Sequence, residues 1–187
     1  MARWEPNAPE RLSKAALELF AERGYENTTV IDIAARAGLT KSTFFRHFQD
    51  KREVLFGGST LAGLLAEAIA AAPAAAGPVE AVIRAMDAAG REAFTPERRE
   101  FSALRRSVIA AHPELRERDA LKGLAITAAM TEALRRRGVG EPTAGIVAEV
   151  GALAMKIAYE RWVEAEAGDF GEAARRALDE VRATVGR

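Results

Sequence analysis

Apolar residues recur at three- and four-residue spacing along nearly the whole chain, and alternating strand-type patterns are absent. This periodicity predicts an all-α fold. Glycines and prolines punctuate it at Gly24, Gly38, Pro73, Gly77-Pro78, Gly90, Pro96, Pro113, Gly138, Pro142 and Gly168. The first helix is expected over about Ala8 to Arg23, with Leu12, Ala16, Leu19 and Phe20 on one face. Asn7 and Glu10 have capping-box spacing. Gly24 is placed to end this helix in the left-handed conformation. The second helix, about Val30 to Ala37, is capped by Thr29 with Asp32 and turns Ile33, Ala34 and Ala37 inward. A tight Gly38-Leu39 turn leads to a third helix at about Lys41 to Phe48, with Thr40 as N-cap. A fourth is expected to start after Asp50, with Glu53 at its third position, and to run to about Ala72. Further helices are expected at about Val79–Ala89, Pro96–Ala111, Glu114–Arg137, Thr143–Ala167 and Gly171–Val185.

The texture changes along the chain. Phe20, Tyr25, Phe44, Phe45, Phe48 and Phe56 suit a small aromatic core, whereas the rest is rich in alanine. We therefore divide the chain into a three-helix module over 1–56 and a larger helical domain over 57–187. The composition, 49% hydrophobic and 29% charged, is that of a globular protein and not of a disordered one. Acids and bases balance to zero net charge, which excludes a whole-surface polycation but leaves room for a local basic patch. There is no cysteine, so disulfide scaffolds, thiolate metal sites and cysteine nucleophiles are excluded. His47 and His112 are the only imidazoles, and no Glu-x-x-His pair exists. No metal site, cofactor or catalytic constellation is expected, and no enzyme activity. The most apolar stretch, Leu61 to Ala76, contains Glu67 and Pro73 and is too weakly hydrophobic to span a bilayer. No targeting segment is evident, and a cytoplasmic location without membrane contact is expected.

The stretch from Thr28 to Phe56 carries the chemistry. A short helix, a glycine turn and a second short helix is helix-turn-helix syntax. From Ile33 to Arg52 there are five bases, Arg36, Lys41, Arg46, Lys51 and Arg52, and one acid, Asp50. Such a patch neutralises phosphates and releases counterions. Thr40, Lys41, Ser42 and Thr43 open the second helix of the motif with short donors and acceptors, suited to phosphates and base edges. Phe44 and Phe48, four apart, anchor one side of that helix, which turns Phe45 and Arg46 elsewhere. An exposed Phe45 beside Arg46 is expected against a sugar-phosphate wall or a thymine methyl. Arg36, on the first helix of the motif, is a candidate for the DNA backbone.

The segment ALELFAERGYENTTVIDIA followed by AARAGLTKSTFFRHFQDKREVLF resembles the TetR-type bacterial transcriptional regulators over about residues 8 to 56. The resemblance implies an N-terminal DNA-binding domain and a variable helical domain that dimerises and often takes a small molecule. It implies phosphate contacts from Thr28 and Thr29, with His47 and Lys51 adding others. Lys51 would lie in the first turn of the fourth helix, where backbone amides favour anions. It also implies a recognition surface of Lys41, Ser42, Thr43 and Arg46. The family commonly has Tyr where this chain has Phe45, so only the apolar part of that contact survives.

In the remainder, small residues line the helix from Thr143, namely Ala144, Gly145, Ala148, Gly151, Ala152 and Ala154. Ile146, Val150, Leu153 and Ile157 form an apolar stripe on the same helix, and the last helix carries Phe170, Ala174, Leu178 and Val181. With the resemblance, these suit a four-helix bundle built by two subunits. The expected dimer face is Ala148, Gly151, Ala152, Phe170, Ala174, Leu178 and Val181. An effector pocket is expected among Leu64, Met86, Phe101, Leu104, Val108, Leu124, Thr127, Met130, Met155, Tyr159 and Trp162, mostly apolar and partly methionine. Arg105, Arg106, His112 and Arg116 are candidates for an acidic head group. The implied partners are palindromic operator DNA read in the major groove, an apolar effector and a second copy of the chain. A regulator controlled by a protein partner, or an activator, would carry the same motif.

Overall fold

The computed structural model describes residues 7–56 and 60–185, and nothing is stated of the side chains of Thr60 and Val185. It is all-α, with no strand among the described residues. The helices are α1 (Ala8–Arg23), α2 (Val30–Arg36), α3 (Lys41–His47), α4 (Thr60–Ala70), α5 (Pro78–Glu92), α6 (Arg99–Ala111), α7 (Pro113–Arg136), α8 (Thr143–Glu164) and α9 (Phe170–Val185). Two compact units result: Met1–Ser59 with Phe101–Leu121, and Thr60–Glu100 with Lys122–Arg187. No described helix is long and apolar enough to cross a membrane.

The core of the first unit joins Leu12, Leu19 and Phe20 of α1 to Ile33, Phe44 and Phe48. Val108, Ile109 and Leu115, far along the chain, are buried in the same core. This module therefore recruits the α6–α7 corner. The Arg105 Nε donates to the Leu55 carbonyl at 2.7 Å, and Arg118 is paired with Glu53. Arg105 and His112 thus serve packing in this unit, the His112 ring lying 5.5 Å from that of Tyr25. Arg116 donates to the Ala110 carbonyl.

Three local expectations are corrected. Asn7 makes no side-chain cap; it takes φ 82°, and its amide donates to the Glu10 carboxylate instead. Gly24 has φ 83° but ψ 158°, so it reverses the chain outside the left-handed helical well. The fourth helix does not start at Asp50. Asp50 does accept from the Glu53 amide at 2.9 Å, but only a 3-10 turn at Glu53–Leu55 follows, and α4 begins at Thr60. The carbonyls of Val54 and Leu55 are taken by Ser13 Oγ and Arg105 Nε, each at 2.7 Å, which competes with α-helical pairing.

In the second unit, alanines at full burial let helices approach closely around Met86, Met130 and Met155. Gly90 lies inside α5 and does not end it; its missing side chain leaves room for the Gly171 backbone nitrogen, which a Cβ would meet at 3.0 Å. Phe94, Tyr159, Trp162 and Phe170 form an aromatic cluster, with the Arg99 guanidinium 5.0 Å over the Trp162 ring.

This packing places most of the expected dimer face in the core of its own unit. A Cβ on Gly151 would meet Val82 Cγ1 at 2.7 Å and Met130 Cε at 3.0 Å of the same chain. Ala148, Phe170, Ala174 and Leu178 are core residues of this unit, Val181 is buried and Ala152 half-buried. The small-residue face is turned inward because only small side chains fit where α8 crosses α5 and α9. What α8 leaves outside is the other stripe: Ile146, 58% exposed, and Leu153, 47% exposed, with Val150 and Ile157 half-buried between them.

The residues expected to line an effector pocket are divided between the two units. Met86, Met130, Met155 and Trp162 are core of the second unit, with Tyr159 half-buried against it and Leu64 also half-buried. Phe101 and Val108 pack into the first unit, and Leu104 on the same helix is exposed. Leu124 is 66% exposed, and Thr127 donates back to the Gly123 carbonyl. A cavity of about 110 Å³ in the second unit touches only Trp162 of this set, and it is far below the few hundred Å³ of a typical small-molecule site.

Candidate nucleic-acid interface

The helix-turn-helix is built by reciprocal caps. The Thr29 hydroxyl accepts from the Asp32 amide at 3.2 Å, and the Asp32 carboxylate accepts from the Thr29 amide at 2.9 Å. Hydrogen bonds from Thr29 hold the Asp32 carboxyl below its ordinary value. α2 ends at a turn in which Gly38 takes φ 65°, a conformation that a side chain disfavours. There the Leu39 amide donates to the Ala34 carbonyl at 2.8 Å. Arg11 braces the turn by donating to the Ala37 carbonyl. The chain then enters α3 with Thr40 as N-cap, its hydroxyl accepting from the Thr43 amide at 3.1 Å.

One side of α3 is fully committed to the core. Phe44 and Phe48 are buried, with ring centroids 5.5 Å apart. The remaining arc presents Lys41, Ser42, Phe45, Arg46 and His47 to the surface, with Thr43 half-buried at its edge. α3 contains no acidic residue. Arg46 and Lys41 make no ion pair among the described residues, and the Lys41 ammonium lies 5.9 Å from the Phe45 ring centroid. The result is a cationic, hydroxyl-bearing surface on a rigidly anchored helix.

The rest of the sequence-predicted set is placed differently. Thr28 is 1% exposed, and its hydroxyl donates to the Gly24 carbonyl at 2.9 Å, so its side chain ties α1 to α2 and faces no solvent. Thr29 is exposed and engaged as a cap. Arg36 makes a two-pronged pair with Glu22, at 2.9 and 2.7 Å, and approaches Glu18 at 3.5 Å. Its pKa is raised and that of Glu22 lowered, chiefly by this hydrogen bonding. Arg52 is paired with Asp50. Burial pushes the Asp50 carboxyl up, but bonds from Arg52 and the Glu53 amide outweigh it and hold the carboxyl below its ordinary value. Lys51 precedes a 3-10 turn and not an α-helix, so no helix dipole stands behind it. Its ammonium donates to the Tyr25 carbonyl at 2.7 Å and sits 4.0 Å over the Tyr25 ring. Burial first, then Glu114, pushes the Tyr25 phenol up to about 12, so this cation faces a neutral ring. The local excess of bases therefore comes down to Lys41 and Arg46 as the cations that, among the described residues, are held neither by an acid nor by a backbone carbonyl.

A family model described as "Bacterial regulatory proteins, tetR family" matches residues 12–56, the segment that makes these caps, this turn and this surface. The chain carries the TetR-family DNA-binding domain. Within this domain the chain is 51% identical over 45 residues to the HTH-type transcriptional regulator TcmR of Streptomyces glaucescens, covering 24% of this chain and 20% of that one. It is 35% identical over 57 residues to MftR of Mycobacterium tuberculosis, a putative mycofactocin biosynthesis transcriptional regulator, covering 30% and 29%. The matched segment thus spans less than a third of either relative. The TetR-type fold extends over the whole chain. SmeT, the repressor of the Stenotrophomonas maltophilia multidrug efflux pump SmeDEF, superposes with TM-score 0.55 at 21% identity, covering 96% of this chain and 90% of that one. Thermus thermophilus FadR, a repressor solved with lauroyl-CoA, superposes with TM-score 0.50 at 24% identity, covering 92% of each.

The contribution of Phe101–Leu121 to this domain was not legible in the sequence. Arg105, Val108 and Leu115 look like any amphipathic helix positions, and only the tertiary contacts single them out.

Proposed function

We propose that this chain is a homodimeric, sequence-specific transcriptional regulator that represses from palindromic operator DNA and is released by an apolar small-molecule effector. The observation that carries the reading is the surface of α3. Phe44 and Phe48 pin one side in the core, and Lys41, Ser42, Arg46 and their neighbours are left outward without acids among them. Residues 1–56, completed by the Phe101–Leu121 corner, read DNA, and the other unit serves the effector and the partner subunit. Lys41, Ser42, Thr43 and Arg46 enter the major groove. Thr29 and His47 stand at the backbone, and Lys51 reaches a phosphate only by leaving Tyr25. The repressor and effector parts of the reading draw on SmeT and FadR, both repressors by their names, and on the acyl-CoA bound to FadR.

The dimer forms on the outward stripe of α8. Ile146, Val150, Leu153 and Ile157 keep one face over three turns. In an antiparallel two-fold crossing centred between Gly151 and Ala152, Ile146 meets Ile157 and Val150 meets Leu153, a self-complementary contact. Two recognition helices must then stand about 34 Å apart to enter successive major grooves, and an effector that favours another spacing weakens DNA binding. No redox, hydrolytic or metal chemistry is assigned. The test is selection from a randomised duplex library with the full-length chain, followed by anisotropy titrations. Enrichment of a palindrome with half-sites one helical turn apart is expected. Binding that remains sequence-independent at physiological salt would refute the reading.

A further inference from the structure

We propose that the cavity at the junction of α8 and α9 is a binding site for a short-chain monocarboxylate. It belongs to the second unit alone and does not rest on the DNA-binding reading. Trp162 carries the argument. It lines the cavity and is 2% exposed, and its indole Nε1 has no hydrogen-bond partner among the described residues. An indole N–H can only donate, and burying it unpaired is unfavourable. What completes it is an acceptor. The cavity measures about 110 Å³. One water needs about 10–15 Å³ of such space, so there is room for several atoms, and a carboxylate of about two to four carbons is of that size.

The rim sets the charge. Arg161 and Arg176 both line the cavity. Arg161 holds the two oxygens of Glu180, at 2.9 and 2.7 Å, which leaves Arg176 without an ion pair among the described residues. α9 opens at the same place, and a helix N-terminus favours an anion. Asp169, also on the rim, already accepts from the Glu172 amide at 2.9 Å. Its charge tells against a dianion such as phosphate and leaves Arg176 to a single carboxylate. The methyls of Ala165, Ala167 and Ala173 add an apolar wall that a short alkyl chain can use and an inorganic anion cannot. The site is also held in shape. Arg99 donates to the Glu166 carbonyl at 3.0 Å and to the Gly168 carbonyl, and its guanidinium lies 5.0 Å over the Trp162 ring. Loop and indole are thus fixed before a ligand arrives, which lowers the cost of binding.

The test uses the full-length chain with Trp4→Phe, which leaves Trp162 as its one tryptophan. Sodium propionate is titrated in against sodium chloride at constant ionic strength, and the Trp162 indole N–H resonance is followed by heteronuclear NMR. A saturable downfield shift is expected, with a melting temperature that rises with propionate by mass action. Sodium phosphate is expected to bind more weakly than propionate. Arg176→Gln is expected to weaken propionate about 10-fold, the usual value of one hydrogen bond to a charged group. Ala167→Leu, which puts a larger side chain on the rim, is expected to abolish the shift. Both positions are exposed, so both variants should keep the melt of the parent chain without ligand. A resonance that responds to propionate no more than to chloride overturns the inference, and water then satisfies the indole. A propionate affinity that both variants leave unchanged overturns it too, as does phosphate binding more tightly than propionate.

Discussion

Arg46 and Thr28 show how residues of one motif separate into an exposed candidate for DNA and a buried support. Arg46 is exposed on α3 without an ion pair among the described residues, opposite the buried Phe44 and Phe48. Arg46→Ala is expected to cost about 1–3 kcal/mol on the selected operator and much less on random DNA, if it reaches a base. Titrations on both duplexes at two salt concentrations check this, and equal losses on both would make Arg46 a backbone contact. Thr28 stands at the start of the same motif but donates to the Gly24 carbonyl from a fully buried position. Thr28→Val should lower stability by about 1–2 kcal/mol, because a partly buried acceptor loses its donor, and should leave the salt dependence of DNA binding unchanged. Denaturant melts beside binding titrations separate the two effects. Asp32 gives a pH prediction. Its folded pKa lies below the unfolded value, so its contribution to the α2 cap is present above about pH 4 and is lost as pH falls through the folded value. A carboxyl NMR titration of Asp32 should show a midpoint below 3.8, and Thr29→Ala should move it back up.

At the scale of elements, α8 has two faces that sequence periodicity does not distinguish. One carries Ala144, Ala148, Gly151 and Ala154, the other Ile146, Val150, Leu153 and Ile157. Small residues suit any close helix crossing, within a chain or between chains, and here Val82 and Met130 of the same chain occupy the space before Gly151. Gly151→Leu is therefore expected to destabilise each chain by about 1–3 kcal/mol through overpacking. Leu153→Glu should leave the melt of the chain nearly unchanged and shift sedimentation from dimer to monomer at micromolar concentration. If Leu153→Glu remains dimeric, the outward stripe is not the interface.

Across the whole molecule, the DNA-binding module does not close on its own N-terminal residues. Val108, Ile109 and Leu115 are buried with Leu12, Phe20 and Phe44, and Arg105 and Arg118 fasten the α6–α7 corner to Leu55 and Glu53. A peptide of residues 1–56 exposes that core face and is expected to show weak helicity and no cooperative melt by circular dichroism; a sharp transition would show that the corner is dispensable. α6 and α7 contribute residues to both compact units. If an effector that releases the proposed operator exists, linkage requires the two binding events to be coupled reciprocally. Whatever factor the effector takes from operator affinity, the operator takes from effector affinity, and calorimetric titration of a releasing compound with and without operator checks the equality.

Local determinants were legible in the amino-acid order alone. The all-α class, the reciprocal Thr29–Asp32 cap, the Gly38 turn, the Thr40 cap and the burial of Phe44 and Phe48 beside an exposed Phe45 all follow from interactions within a few residues. The sequence also carried the TetR-type motif, because its spacing lies within one continuous segment. Tertiary structure decided what depends on distant partners. Arg36 is neutralised by Glu22 on another helix, Lys51 is held by the carbonyl and ring of Tyr25, and Thr28 is drawn inside by Gly24 and Leu19. The carbonyls after Asp50 are claimed by Ser13 and Arg105, and α8 turns its small residues toward α5. A charge or a small side chain has the same periodicity whether or not a partner waits across the core, so only the packed chain distinguishes a surface that is free to bind from one that is already bound.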